Sequence, residues 1–236
     1  PISKTQGEVF FPSDLEKPAA TPRRYQFKQP FGLPVRYHDI KTFSKVSNLD
    51  LVEIHLSYKD LEVNLDEVLP ERQGIGLVIH APELFAGDHT LDLCTEDISY
   101  REHSKKELQR VIDISKDLRG RFHCNEPVLL VTNVGGFSEH RHLDKKERIP
   151  LQHRLIESLR DLNTSGEVEI IPQTMPPFPW HFGGQRFHNL FVDTDFISNF
   201  CKELNMRVCL DVSHSKLACN YLHIPFRDFL DQILPF

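Results

Sequence analysis

The sequence lacks a basic excess, a long apolar run and a paired-cysteine framework, and each absence removes a class of function. Against 34 aspartates and glutamates there are only 28 lysines and arginines, a net charge of −6, and the pI is about 6.1. No global positive field draws in a nucleic acid backbone. No apolar stretch approaches the roughly 20 residues that a membrane-spanning helix needs, so neither nucleic acid nor membrane is expected as a partner. The five cysteines (Cys94, Cys124, Cys201, Cys209, Cys219) are odd in number and include no C-x-x-C pair. That pattern predicts reduced thiols in a cytoplasmic protein. The N-terminus, Pro1-Ile2-Ser3-Lys4, has neither an initiator methionine nor the charged-then-apolar order of a signal peptide. A fragment of a longer protein is the expectation.

What is present is a regular alternation. Residues 1–33 carry scattered prolines and little periodicity, as expected of an arm or linker from an upstream domain. One short strand is expected in that arm, at Gly7–Phe11. From Pro34 onward, strands are predicted at 34–38, 49–56, 76–80, 127–132, 168–172 and 208–212. Helices are predicted through Phe43 and Val46, near 65–69, and over 100–118, 149–162, 194–204 and 225–233. Short apolar strands alternating with helices predict a parallel sheet with right-handed crossovers and strands buried on both faces. An open doubly wound sheet and a TIM (β/α)8-type barrel both fit. No G-x-G-x-x-G follows the first strand, and the polar residues gather after the later strands, which favours the barrel. Only six βα units are visible, so the barrel is expected to be incomplete, with its open edges covered by the arm, a partner chain or further residues.

The stretch Arg207-Val208-Cys209-Leu210-Asp211-Val212-Ser213-His214 ends a predicted strand in a carboxylate and an imidazole three positions apart. An unpaired buried carboxylate costs several kcal/mol, which a bound cation would offset, with Asp211 supplying oxygen and His214 nitrogen. Alternatively, Asp211 caps the following helix and His214 is a satisfied rim histidine. Spacing leaves both readings open. His80 ends the third strand and is the candidate third ligand; Glu53 and Glu83 are candidate bases. Asn133 ends the fourth strand before Gly135-Gly136, whose backbone either cradles a ligand or makes a turn. After the fifth strand comes Gln173 and a proline-stiffened loop holding the only tryptophan, Trp180, with His181 and Arg186. An aromatic platform among polar donors suits a sugar or sugar acid.

Ile79-His80-Ala81-Pro82 and Leu210-Asp211-Val212-Ser213-His214 resemble the xylose-isomerase-like TIM-barrel superfamily, which includes sugar-phosphate isomerases/epimerases and endonuclease IV. The segments 31–39 and 173–181 more narrowly resemble an isomerase-like domain fused to NeuB-type N-acetylneuraminate (sialic acid) synthases. The resemblance implies a barrel over residues 34–236, a sugar or sugar-phosphate substrate, and a divalent metal (Zn, Mn or Mg) on His80, Asp211 and His214. It implies catalytic roles for His80, Glu53 or Glu83, and substrate contacts from Asn133, Gln173, Trp180, His181 and Arg186. A homo-oligomer or an upstream synthase domain would be the partner. Three departures stand against a full metal site. Gln173 occupies a position where the superfamily places a ligating glutamate. Asn133 stands where the endonucleases have histidine, and the last two strands are missing. The rival reading is therefore a non-catalytic or regulatory sugar-binding domain; cleavage of nucleic acid is disfavoured.

Overall fold

A computed structural model describes residues 28–178 and 186–236. The strand expected at Gly7–Phe11 and most of the leading arm lie outside them. Five parallel strands form one sheet in the order β1 (Gly32–Val35), β2 (Leu51–His55), β3 (Gly76–His80), β6 (Val128–Thr132) and β8 (Val168–Pro172). Two antiparallel strand pairs lie outside it: β4 (Leu84–Phe85) with β5 (His89–Thr90), and β7 (Phe137–Ser138) with β9 (Phe187–His188). Neighbouring strands of the main sheet are also successive βα units, the adjacency that right-handed crossovers produce.

The helices match the periodicity closely except α6 (Val212–Leu222), for which the periodicity sets no range and which is expected only as the helix that Asp211 could cap. α1 spans Ile40–Val46 and α2 Leu65–Val68. α3 (Ile98–Arg119) buries Ser104, Leu108, Val111, Ile112, Ser115 and Leu118, one stripe at helical spacing, and starts where the Asp97 carboxylate accepts the Tyr100 N–H. α4 (Ile149–Arg160) buries Leu151, Leu155 and Ile156. α5 (Thr194–Leu204) is capped by Asp193 and closed by Asn205 in the left-handed region, a C-terminal conformation that asparagine tolerates. α6 (Val212–Leu222) and α7 (Phe226–Ile233) finish the chain.

The two faces of the sheet differ. Val52, Ile54, Leu77, Ile79, Val128, Leu130, Val168 and Ile170 are buried in one apolar cluster with Leu108, Ile112, Leu155, Ile197 and Phe200. Each such side chain contributes about 1.5–3 kcal/mol on burial. On the concave face, Glu53, His55, Val78, His80, Leu129 and Glu169 are only half-buried. The expectation of strands buried on both faces therefore fails for β2 and β3. Their alternation of buried and half-buried residues is that of a sheet covered by helices on one side. Among the described residues no further strands close the ring, so the concave face stays open.

The strands predicted at 49–56 and 127–132 are trimmed to Leu51–His55 and Val128–Thr132, and the first and sixth strands depart further. β1 ends at Val35 because the Arg36 N–H is taken by Asp39 Oδ2 at 3.1 Å, which starts a single tight turn over Tyr37–Asp39. The sixth strand shrinks to one bridge, Gln173 opposite Cys209. Its register is held by Cys209 N–H to the Pro172 carbonyl at 2.8 Å and Thr174 N–H to the Cys209 carbonyl at 2.9 Å. Val212, expected inside that strand, is instead the first residue of α6. Below this bridge, Arg207 pairs with Glu169 through two contacts of 2.7 and 2.5 Å, tying the last segment to β8.

Candidate functional site

The C-terminal ends of the strands open into a cleft of about 530 Å³, lined by Arg36, His55, Ser57, Tyr58, His80, Glu83, Gln173, Asp211 and His214, among others. It sits where a parallel β/α ring places its chemistry, at the rim from which the loops leave.

On one side, β2 and β3 supply the imidazoles. Their register pairs His55 with His80, and the two rings stack with centroids 4.5 Å apart and planes 19° from parallel. His80 Nδ1 lies 2.9 Å from the Ala81 carbonyl. A carbonyl only accepts, so Nδ1 carries the hydrogen and Nε2 keeps its lone pair. His55 Nε2 lies 2.5 Å from Glu53 Oε1. That hydrogen bond, more than the opposing effect of burial, holds the Glu53 carboxyl below its ordinary range. Arg36 donates through Nη1 to the His55 carbonyl and to Asp60. Asp60 also accepts the Ser57 N–H and hydroxyl, each at 2.7 Å. The loop after β2 is thus pinned to the strand end that carries His55.

In the middle, β6 and β8 contribute a chain of amides. The Gln173 Nε2 donates to Asn133 Oδ1 at 2.6 Å, and the Asn133 Nδ2 donates to Glu83 Oε1 at 2.9 Å. Gln173 and Asn133 are 4% and 8% exposed, so this chain satisfies amides that would otherwise be stranded away from water.

On the far side, Asp211 caps α6: its Oδ1 accepts the His214 N–H at 2.8 Å. The buried His214 directs Nδ1 to the Thr174 carbonyl at 3.0 Å. Thr174 Oγ1 accepts the Asp211 N–H at 3.0 Å and meets Ser215 Oγ at 2.8 Å. The capping alternative is the one these contacts display.

The proposed metal trio was His80, Asp211 and His214. All three border the cleft, but among the described residues no three His, Cys, Asp or Glu side chains gather closely enough to hold an ion. The physical reason is spacing. Between β3 and the Cys209 bridge lie β6 and β8, three inter-strand steps or about 14 Å of sheet. The protonation of each ring suits ligation, since a ligating imidazole commonly gives its other N–H to a carbonyl. The gathering of three donors, which an ion requires, does not occur.

The remaining candidates divide. Glu83 borders the cleft, whereas Glu53 lies behind His55. Arg186 is exposed, with its guanidinium 5.8 Å from the centre of the Phe137 ring, and does not line the cleft. Trp180 and His181 lie outside the described residues. The Gly135-Gly136 pair directs its backbone to a side chain of this chain, Asp92. Both have positive φ, and the Gly136 N–H goes to the buried Asp92 carboxylate at 2.9 Å. A Cβ on Gly135 would stand 2.3 Å from Asp92 Oδ1. Burial raises the Asp92 carboxyl against the lowering effect of N–H groups from Gly136, Cys94 and Thr95.

Sequence reasoning missed His55 and Arg36. A signal for His55 existed: Glu53 and His55 are two apart in a strand and so share a face. The register that stacks His55 on His80 was not legible.

A family model described as Xylose isomerase-like TIM barrel matches residues 44–233. Among solved structures, a D-tagatose 3-epimerase-like protein is similar at a TM-score of 0.54 and 15% identity, over 87% of this chain and 71% of that one. A D-psicose 3-epimerase in the presence of D-fructose is similar at a TM-score of 0.54 and 15% identity, over 87% of this chain and 70% of that one. At this identity the two likenesses bear on fold alone. No curated protein matches the sequence. Among the described residues no helix is long and apolar enough to cross a membrane.

Proposed function

The chain belongs to the xylose isomerase-like TIM-barrel family, and from that premise we propose that its cleft binds a sugar or sugar phosphate and promotes isomerase- or epimerase-type proton transfer. The observation that carries this reading is the gathering of Arg36, His55, His80, Glu83 and Gln173 around one cleft of about 530 Å³. Small-molecule sites typically fall between about 300 and 1,000 Å³, and a hexose needs several fixed donors and acceptors at this scale. His80 Nε2 and the Glu83 carboxylate accept from substrate hydroxyls, while Arg36 donates. The amide of Gln173, and behind it Asn133, orients the ligand.

The expected divalent metal is left out of this reading, because the ligand trio does not gather and Gln173 offers an amide where a carboxylate would bind a cation more tightly. Residues 34–236 form the barrel domain in this proposal, with 1–33 as an arm from an upstream NeuB-type synthase. Trp180, His181 and Arg186 supply further sugar contacts from the loop. The likeness of segments 31–39 and 173–181 to the synthase-fused domain supports a place in sialic or nonulosonic acid biosynthesis, in the cytoplasm.

The second reading, a non-catalytic sugar-binding module, is favoured by one observation: Gln173 is locked into an amide chain with Asn133 and Glu83. Calorimetric titration of the purified chain with ketohexoses, their phosphates and N-acetylated amino sugars tests the proposal. Saturable binding that His80→Ala weakens tenfold or more is expected. Absence of binding by every member of the panel would sink it, and binding without turnover would favour the module.

A further inference from the structure

The geometry points to His55 as the residue that takes a proton from the bound sugar, with Glu53 as the positioning residue that holds its ring. The inference rests on the isomerase reading above.

Glu53 Oε1 lies 2.5 Å from His55 Nε2. A carboxylate in its ionised form only accepts, so Nε2 carries the hydrogen and the lone pair of the neutral ring is on Nδ1. Nδ1 has no partner among the described residues, and His55 borders the cleft. The ring is fixed from both sides. Glu53 holds one edge, and the ring face stacks on His80 at 4.5 Å. His80 is itself anchored at Nδ1 by the Ala81 carbonyl. The backbone beneath is fixed by Arg36 on the His55 carbonyl.

The competing acceptors are differently placed. Glu83 already accepts from Asn133, and Asp211 accepts the His214 N–H in the first turn of α6. His80 has a free lone pair on Nε2, but behind it stands a neutral carbonyl. His214 directs Nδ1 to the Thr174 carbonyl, with Asp211 Oδ2 farther off at 3.6 Å, whereas His55 is hydrogen-bonded directly to a carboxylate that can stabilise the imidazolium formed as the proton arrives. This is the orienting role of the third member in nucleophile–base–carboxylate arrangements.

In the step itself, His55 Nδ1 takes the proton from the carbon beside the sugar carbonyl. The C–H electron pair becomes the C=C bond of an enediolate, and the carbonyl π pair moves onto oxygen. The imidazolium then returns the proton to the neighbouring carbon, while the hydroxyl proton passes to the first oxygen. One carbon is oxidised and its neighbour reduced, so no external redox partner is required.

The test uses the intact chain with two probes, D-fructose and D-fructose 6-phosphate. Binding is followed by calorimetry and C–H exchange by proton NMR in D₂O, while ¹⁵N–¹H NMR reads the His55 tautomer. Expected are a hydrogen on Nε2 of His55 and exchange of a bound sugar's C–H. His55→Gln should lower exchange about 100-fold or more, the usual span for a general base, with affinity within about twofold. Glu53→Gln should lower exchange at unchanged affinity, and Glu53→Asp should restore part of it. A hydrogen on Nδ1, a sugar that binds without exchanging, or a folded His55→Gln protein that exchanges at the original rate would each overturn the role of His55. If neither sugar binds, the calorimetry shows that the sugar reading itself has failed, and this inference falls with it.

Discussion

The two sides of the cleft carry the same chemical groups, an acid and an imidazole on each, and use them differently. On the β2–β3 side, Glu53 and His55 are strand residues two apart, and their hydrogen bond leaves one ring nitrogen of His55 without a partner. On the β8–α6 side, Asp211 and His214 are three apart across a helix start, and their atoms serve the backbone: Oδ1 takes a helix N–H and Nδ1 meets a carbonyl. A helix begins with donors that lack partners, and a nearby carboxylate is drawn to them first. A mid-sheet strand has no such demand, because its N–H and C=O groups are already paired. The same pair of side chains is therefore available for chemistry on a strand and consumed by folding at a helix start.

The largest effect is expected where the two sides are joined. Asn133→Ala removes the amide that links Gln173 to Glu83 and takes from the buried Gln173 amide its side-chain acceptor. The loss should be about 2 kcal/mol, a melting temperature lower by roughly 4–8 °C for a chain of this size. A scanning calorimetry change under 1 °C would show that the amide chain does not couple the halves.

Asp211→Ala removes only a cap and should cost about 1 kcal/mol. Asp211→Asn, which still accepts the His214 N–H, should lose a few tenths at most. Equal losses in chemical denaturation would mean that the charge of Asp211, and not its capping oxygen, matters, and the contrast between the sides would dissolve.

A smaller effect should appear in acid. The Glu53 carboxyl is lowered from an ordinary value of 4.5, first by its bond to His55. A carboxyl lowered in the folded state contributes stability that is fully present above about pH 4.5 and is lost as pH falls through the folded value. With a third of its side chain exposed, the contribution is modest. Glu53→Gln should lower the melting temperature slightly at pH 7 and flatten the acid limb below pH 4.5, where the two proteins converge. An unchanged acid limb would show that the Glu53–His55 bond has no energetic weight.

The smallest effect is expected from divalent cations. Because His80, Asp211 and His214 do not gather around a common point, millimolar Zn, Mn or Mg should shift the melting temperature by less than about 1 °C. A saturable rise that His80→Ala abolishes would show that the two sides close on an ion after all.

Much of the fold could be read before the structure. α5 falls at Thr194–Leu204 as expected, and β3 and β8 fall at 76–80 and 168–172, because bounded apolar runs and helical stripes are local signals. Val208–Val212 misled because β-branched residues favour a strand locally, while the Asp211 cap and the single bridge to Gln173 set a helix start at Val212. Of the site, His80, Glu83, Gln173, Asp211 and His214 were identified from their places after strands. His55 was not, since its significance comes from a ring on another strand.

The sequence alone determined the alternation of strand and helix, the apolar side of each element, and which polar residues stand at the strand ends. These follow from side-chain period and backbone preference, which act within a few residues. Tertiary structure decided which acceptors remain for a ligand. That depends on strand register and on competition from backbone and side-chain polar groups distant in sequence, as where the Asn133 amide takes the Glu83 carboxylate 50 positions away.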